Sequence, residues 1–585
     1  MPNQEQLNNK RHSLAHLLAS AVLEQYPDAK LGIGPVIDNG FYYDFIFSSP
    51  LSTDDLPKLE KRMKELAKSN LDFERQEKSY AEAKDFFKDK NQDFKLDLIS
   101  ELEKSGEQIS LYQTGEFIDL CRGGHVVNTS EIDTDSFKLD KLAGAYWRGD
   151  EKNPMMTRIY GLAFDTKAEL DEYLNMREEA LKRDHKKLGP ELDLFVFSDL
   201  VGAGLPLWTP KGTMVRHLLD DFVWQLRKPK GYQKVEIPHI TKKDLYETSG
   251  HWDKFKDELF RITTREGHEF AMKPMNCPHH TQIYNRKRWS YRELPQRYAN
   301  TTACYRDEQS GELSGLSRVR AFAQDDAHVF CRLDQAKDEF LNVWDIVENF
   351  YKAFDFNLKV RLSLRDPNEP DKYLGQPEQW EKAENLLREI AKEKNAETYE
   401  GVGEAAFYGP KLDFMTNDSM GREWQVATIQ FDFNQPERFD LFCINENGEQ
   451  ERIVMIHAAI MGSLERFMSV LIEHTGGNFP VWLSPVQAVV LPISEKQTEY
   501  ATTVISTLKE SIPDLRIELD DRSESIGKRI REHVTQKVPY LLIVGDKEIE
   551  ANGVAVRARG DVDLGTVALS EFAQTLTEKI ENKSL

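Results

Sequence analysis

Seven short segments hold most of the residues able to do chemistry. HSLAH places His12 and His16 four apart, which puts both imidazoles on one helix face. At about 100° per residue that face lies opposite Leu14, Leu17 and Leu18. DLCRGGH brings Cys121 and His125 at the same spacing. Four such groups can bind zinc, or act as acid–base and water-orienting groups, and spacing leaves both open. MNCPHH supplies Cys277, QDDAH supplies His328 and VMIHAAI supplies His457, too far apart for spacing alone to join them in a metal site. YRDEQSGELSGLSRVRAF contains Arg306, Glu308 and Arg318, and in MGSLERF Arg466 begins a helix behind Gly462. Arginines on a hairpin suit ATP, because a planar guanidinium holds phosphate oxygens bidentately and neutralises charge developing in a transition state. Each arginine alone would more commonly be a surface ion-pair partner. The combination is what points to a site.

Elements of three kinds must position these groups. Residues 8–25 have one-face helical spacing, and LGIGPVIDNGFYYDF follows with turns and an aromatic strand. Residues 55–104 read as charged helices. Residues 166–187 read as a charged helical connector ending in KKLGP. From about 190 to 485, RYANTTACYRDE and SRVRAFAQDDAHVF predict two strands joined by the loop 308–317. EWQVATIQFDF predicts a further strand and GSLERFMSVLIEH a helix. The pattern predicts a large antiparallel sheet with helices, an α+β design. In the last hundred residues VQAVVLPI, RIELD and YLLIVG are short strands between helices, which predicts a small α/β unit with a mostly parallel sheet.

At 585 residues the chain exceeds one core, and three or four domains are expected. The five cysteines (Cys121, Cys277, Cys304, Cys331, Cys443) are too few for a disulfide framework and suit thiols, ligands or catalytic groups. The opening MPNQEQLNNKRH lacks a signal-peptide core, and nowhere do about 18 apolar residues run together; a cytoplasmic protein without membrane contact is expected. The formal charge of −22 excludes wrapping nucleic acid over the whole surface, yet permits a local basic site.

HSLAH, GPVIDNGFYYDF and DLCRGGH resemble the editing domain shared by threonyl- and alanyl-tRNA synthetases. The resemblance implies that His12, His16, Cys121 and His125 line a pocket that hydrolyses seryl-tRNA without a bound metal, with Asp119 nearby. That family usually has Pro where this chain has Gly124. The Arg306 hairpin and the Arg466 strand–helix unit resemble motifs 2 and 3 of class II aminoacyl-tRNA synthetases. GYQKVEIPHI, with Pro238, resembles motif 1, which builds the dimer interface there, so a homodimer is expected. Cys277, His328 and His457 fall at the three zinc-ligand positions of the threonyl-tRNA synthetase family, implying one zinc per subunit.

That chemistry has a rationale. Threonine and valine are near-isosteric, and a zinc ion chelated by the substrate's amino and hydroxyl groups rejects valine. Serine keeps both ligands and loses only a methyl, worth ~1–3 kcal/mol, so a second sieve is needed. By the same resemblance Met275, Gln324, Asp326 and Tyr408 bind threonine, with Tyr408 at the amino group and Asp326 at the hydroxyl. Arg306, Glu308, Arg318, Lys411, Gln430, Ser463 and Arg466 bind ATP and its Mg²⁺, with Arg306 and Arg466 catalytic. Two positions depart from the family, which commonly has Gly at His279 and Arg at Ala458.

ESIGKRIREHVTQKVPYLLIVGDKE and GVAVRAR resemble the anticodon-binding domain of this subclass. Lys528, Arg529 and Arg531 are expected to form a basic patch, with Arg531, Glu548 and Arg557 on the anticodon. The expected architecture is an α/β editing domain (1–165), a linker helix (166–189), a class II antiparallel-sheet catalytic domain (190–485) and an α/β anticodon-binding domain (486–585). The ubiquitin-like domain that opens many bacterial relatives is expected to be absent. The expected function is activation of threonine with ATP to threonyl-adenylate, transfer to tRNA(Thr), and editing of mischarged seryl-tRNA(Thr). Two alternatives stand beside it: a synthetase-derived regulator that binds tRNA or mRNA, and an enzyme that charges without editing.

Overall fold

The computed structural model describes residues 4–418 and 421–583. The chain forms two compact units, one through Glu178 and one from Glu179. The division falls inside the Lys167–Arg183 helix, within the charged connector read from the sequence.

In the first unit the Gln4–Gln25 helix is buried on nearly every side from Ser13 to Ala19. Its leucine face packs on Phe41, Tyr43 and Phe45, which lie in an antiparallel sheet with the Phe137–Tyr146 and Met155–Ala163 strands. Its histidine face is covered by Phe73 and Phe117, from a second sheet of Phe73–Glu77, Ser110–Thr114 and Phe117–Leu120. The helix is therefore sandwiched. Apolar cover on one side and histidines against aromatics on the other replace the solvent that a one-face pattern would suggest.

The second unit is built on an eight-stranded sheet. Its order is Gln233–Lys234, Gln296–Tyr305, Ala321–Cys331, Val454–Ser463, Glu423–Asp432, Lys411–Asn417, Lys359–Leu364 and Thr398–Val402. The two edge strands run parallel to their neighbours, and the six between them are antiparallel. The two strands expected around the 308–317 loop pair from Gln296↔Phe330 to Tyr305↔Ala321. Because side chains alternate along a strand, Ala327, Val329 and Cys331 enter the core beneath the sheet with residues of the Pro210–Arg227 and Ala336–Lys352 helices. Asp326 and His328 are left on the opposite face.

The C-terminal sheet corrects one expectation. Its order is Ile517–Leu519, Ala488–Pro492, Tyr540–Val544, Gly553–Ala558 and Val562–Ala568. The first three strands are parallel, but the last two are antiparallel. Only the short Asp546–Glu550 helix separates Val544 from Gly553, less than the dozen residues a parallel crossover needs. The basic patch is also corrected. Arg529 is buried, donating to the carbonyls of Asp520 and Pro492 at 2.5 and 2.7 Å, and Lys528 pairs with Glu524 at 2.7 Å. Arg531 is exposed. Among the described residues no helix is long and apolar enough to cross a membrane.

Candidate active site

Cys277 opens the Cys277–Tyr284 helix, while His328 and His457 face each other on adjacent strands. Their ligand atoms lie within 4.8 Å of one another, and all three residues are buried. His328 Nε2 is 3.0 Å from His457 Nδ1. The other nitrogen of each ring is engaged: His457 Nε2 lies 2.9 Å from Asp432 Oδ2, and His328 Nδ1 lies 2.7 Å from His280 Nδ1. Burial, with His280 and His457 beside it, holds the His328 pKa well below the usual range, so its lone pair is available. Burial also pushes the Cys277 thiol well up. One sulfur and two nitrogens, with a carboxylate orienting a histidine from behind, fit zinc with a position open to substrate. His279 does not join them. Its Nε2 turns to Thr241 Oγ1 at 2.9 Å.

Beside this cluster, buried Asp326 accepts from Asn276 Nδ2 at 3.1 Å, and burial raises its carboxyl pKa to about 6. Tyr408 stacks on the His457 ring at 5.0 Å and its hydroxyl donates to Gln430. Met275 packs in the apolar cluster that contains Cys277. Lys411 pairs with Asp413 at 3.2 Å and stands opposite Gln430 in register.

A cavity of about 250 Å³ follows, lined by Arg306, Glu308, Arg318, Gln324, Ser463 and Arg466 among others. Lys411 and Gln430, expected at ATP, are not in this lining; the 425–428 stretch of Gln430's own strand forms part of it instead. Charge there is unbalanced. Glu308 is taken by Arg318 at 2.7 Å, and among the described residues Arg306 pairs with no carboxylate. Arg466 donates from Nε to the Ser317 carbonyl at 3.2 Å, and burial together with Arg306 and Arg318 lowers its pKa. Arg318 also pairs with Glu312 at 3.1 Å, which leaves Arg306 and Arg466 as the guanidiniums open to a polyanion.

The first unit brings His12, His16, Cys121 and His125 together, again within 4.8 Å. Cys121 Sγ lies 3.4 Å from His12 Nε2 and 3.2 Å from His125 Nε2. Burial is the main cause lowering all three histidines, His125 to about 2, and it pushes the Cys121 thiol up to about 11. Neutral groups therefore face one another across this cluster. Gly124 adopts φ +85°, a conformation closed to proline, and the turn closes Cys121 on His125. Asp119 is held apart from the four, paired with Lys95 at 2.6 Å and accepting from Tyr43 at 2.5 Å.

In the C-terminal sheet, Arg557 lines a surface cavity and pairs with Asp561 at 2.7 Å. Glu548 is nearly buried, accepting from Gly545 N at 2.9 Å and Thr566 Oγ1 at 3.1 Å. Sequence reasoning did not find Lys95, Tyr43, His280 or Asp432. Lys95 carried no signal in its charged helix, whereas His280 stood visibly beside Cys277. His185, also missed, accepts from Leu316 N at 3.0 Å and bonds Glu473 at 2.7 Å, anchoring the 308–317 loop.

The comparisons with known proteins agree with this geometry. Residues 260–475 match the tRNA synthetase class II core domain (G, H, P, S and T). Residues 487–579 match an anticodon binding domain, and 109–160 match the threonyl and alanyl tRNA synthetase second additional domain. A threonine–tRNA ligase of Porphyromonas gingivalis is 50% identical over 576 residues, covering 98% of this chain and 87% of that protein. One from Cytophaga hutchinsonii is 50% identical over 573 residues, covering 97% and 88%. A crystal structure of the RNA binding domain of threonyl-tRNA synthetase from Cryptosporidium parvum superposes with TM-score 0.64 at 37% identity, covering 68% of this chain and 98% of that one. The chain belongs to the threonine–tRNA ligase family, class II aminoacyl-tRNA synthetases that join an editing module to a ligase core.

Proposed function

We propose that Cys277, His328 and His457 hold one zinc ion that selects threonine, beside an ATP site built on Arg306, Glu308, Arg318, Ser463 and Arg466. One observation carries the reading: three segments far apart in sequence converge in one buried S,N,N donor set that adjoins a cavity with surplus guanidinium charge. Bound there, zinc would act as a Lewis acid able to take the amino and hydroxyl groups of threonine as ligands. Asp326 accepts a hydrogen bond from the substrate hydroxyl, and Tyr408, with Gln324 and Met275, borders the amino group and side chain. Lys411 and Gln430 sit at the junction of the threonine and ATP sites rather than at the triphosphate.

The threonine carboxylate attacks the α-phosphate of ATP, which arrives with Mg²⁺, giving threonyl-adenylate and pyrophosphate. The terminal ribose hydroxyl of tRNA(Thr) then attacks the acyl carbon. The chain supplies no nucleophile; Arg306 and Arg466 align the phosphates and offset developing charge. Seryl-tRNA is hydrolysed at His12, His16, Cys121 and His125, whose neutral imidazoles can orient water and take its proton, with Asp119 fixing the Tyr43 and Lys95 side of the pocket. Arg531 and Arg557 meet the anticodon. Glu548 is occupied by Gly545 and Thr566 and must release them to accept from a base. The enzyme works in the cytoplasm as a homodimer, for which the Gln233–Lys234 edge strand offers an unpaired backbone.

Metal analysis tests the zinc reading. Wild-type protein should hold one zinc per chain and Cys277→Ser should lose it together with threonine activation. Unchanged stoichiometry in Cys277→Ser would remove that ligand.

A further inference from the structure

The strand that carries His457 also leads to Ser463 and Arg466, so it joins the metal end of the site to the ATP end. Between them the ladder is irregular. On the Ala321–Cys331 strand one residue, Asp326, separates Asp325 from Ala327, whereas their partners Gly462 and Ala458 are separated by three. Ala459 pairs on its other side with Thr428, but Ile460 and Met461 fall outside both registers, and a buried unpaired amide is costly. Asp325 answers this. Its Oδ2 accepts from Ile460 N at 2.8 Å and from Met461 N at 3.0 Å. The Tyr351 hydroxyl lies 2.8 Å from the Ile460 carbonyl on the same side.

Asp325 is fully buried, and a buried carboxylate needs a counter-charge. Arg227, the last residue of the Pro210–Arg227 helix, supplies it as a direct ion pair, and its Nη2 reaches the Ala458 carbonyl at 3.4 Å. Arg227 and Asp325 are 3% and 0% exposed, and neither lines the ATP cavity. By strand alternation Ala458 points into the same layer as Asp325, away from His457. An arginine placed at position 458 would start opposite Ala327 and could reach Asp325 two residues along, a diagonal within range of a long side chain.

We propose that Arg227 and Asp325 are positioning residues of the ligation site: together they fix the bulge that sets His457 relative to Ser463 and Arg466, with Arg227 delivering from a helix the guanidinium that holds Asp325 beneath it. The inference rests on the reading of the two half-sites given above. Neither residue touches substrate. Losing Arg227 leaves buried Asp325 without its counter-charge beneath the bulge, and the spacing of threonine against ATP slackens.

The test is a pair of substitutions with opposite expected signs. Arg227→Leu should lower threonine-dependent ATP–pyrophosphate exchange about 100-fold, as expected for misaligned reactants, while seryl-tRNA deacylation by the first unit is unchanged. Ala458→Arg alone should also impair exchange and lower the melting temperature, because two guanidiniums then face one carboxylate. The double variant Arg227→Leu/Ala458→Arg should recover most of the exchange rate and of the melting temperature lost in Arg227→Leu. A wild-type exchange rate in Arg227→Leu, or a double variant no better than Arg227→Leu, would overturn the inference. Should Arg227→Leu fail to fold, the double variant still decides: folded, active enzyme supports the relocated pair, and its absence refutes it. The melting temperatures report on the pair even if the wild type showed no exchange, an outcome that would count against the half-site reading instead.

Discussion

His328 Nε2 stands 3.0 Å from His457 Nδ1 across two adjacent antiparallel strands. Either one proton lies between these nitrogens or a cation takes both lone pairs, since the far side of each ring is engaged by His280 or Asp432. Asp432 fixes the His457 tautomer by accepting from Nε2. Asp432→Asn keeps the shape and removes the charge. Zinc affinity should fall about 10- to 100-fold, read by competition with a chelator; equal affinity would show that Asp432 does not orient His457.

Gly124 offers a test of the editing turn. Its φ of +85° is out of reach for proline, so Gly124→Pro must reroute the backbone between Cys121 and His125. Deacylation of seryl-tRNA should fall by about 100-fold with threonine activation intact. Gly124→Ala should be milder, costing about 1–2 kcal/mol for the left-handed backbone, since an added Cβ meets only Asn9 Oδ1 at 3.4 Å and His12 at 3.8 Å. Normal editing by Gly124→Pro would mean that the turn tolerates both paths.

The buried histidines of the same pocket set a pH dependence. His125 is lowered to about 2, mainly by burial and then by His16 and His12. The folded pocket thus stays neutral through the ordinary imidazole range, and the editing rate should show no break near pH 6.5. Stability behaves differently. As pH falls below about 6.5 the unfolded chain takes a proton on His125 that the folded chain refuses, so stability drops by up to about 1.4 kcal/mol per pH unit until the pH nears 2. Thermal melts of wild type and His125→Gln from pH 8 to 5 would separate this slope; identical slopes would contradict it.

Much of this was legible in the residues themselves. The strands around Arg306 and His328 follow from long runs of strand-forming residues, and the helix behind Gly462 from GSLERFMSVLIEH; its cap, the Ser463 hydroxyl accepting from Arg466 N, emerges only in the structure. Four editing residues were visible as two pairs at helical spacing. Convergence was not visible. Cys277, His328 and His457 meet only because sheet order places two central strands side by side, and strand order is not encoded in local pattern. Arg529 looked like a surface cation and is instead bonded to two carbonyls, because three donor groups on a long stem can satisfy backbone far from its own helix. Arg227 and Asp325 carried no local signal, as their pairing depends on a bulge in a third segment.

One buried Cys/His/His set beside a three-arginine cavity is proposed to select threonine for activation by ATP. Threonine-dependent ATP–pyrophosphate exchange by zinc-replete protein, with valine and serine run alongside, tests it most directly. Exchange should occur with threonine, more weakly with serine by about 10- to 200-fold, and almost not at all with valine. Absence of threonine-dependent exchange, or valine exchange equal to that of threonine, would contradict it.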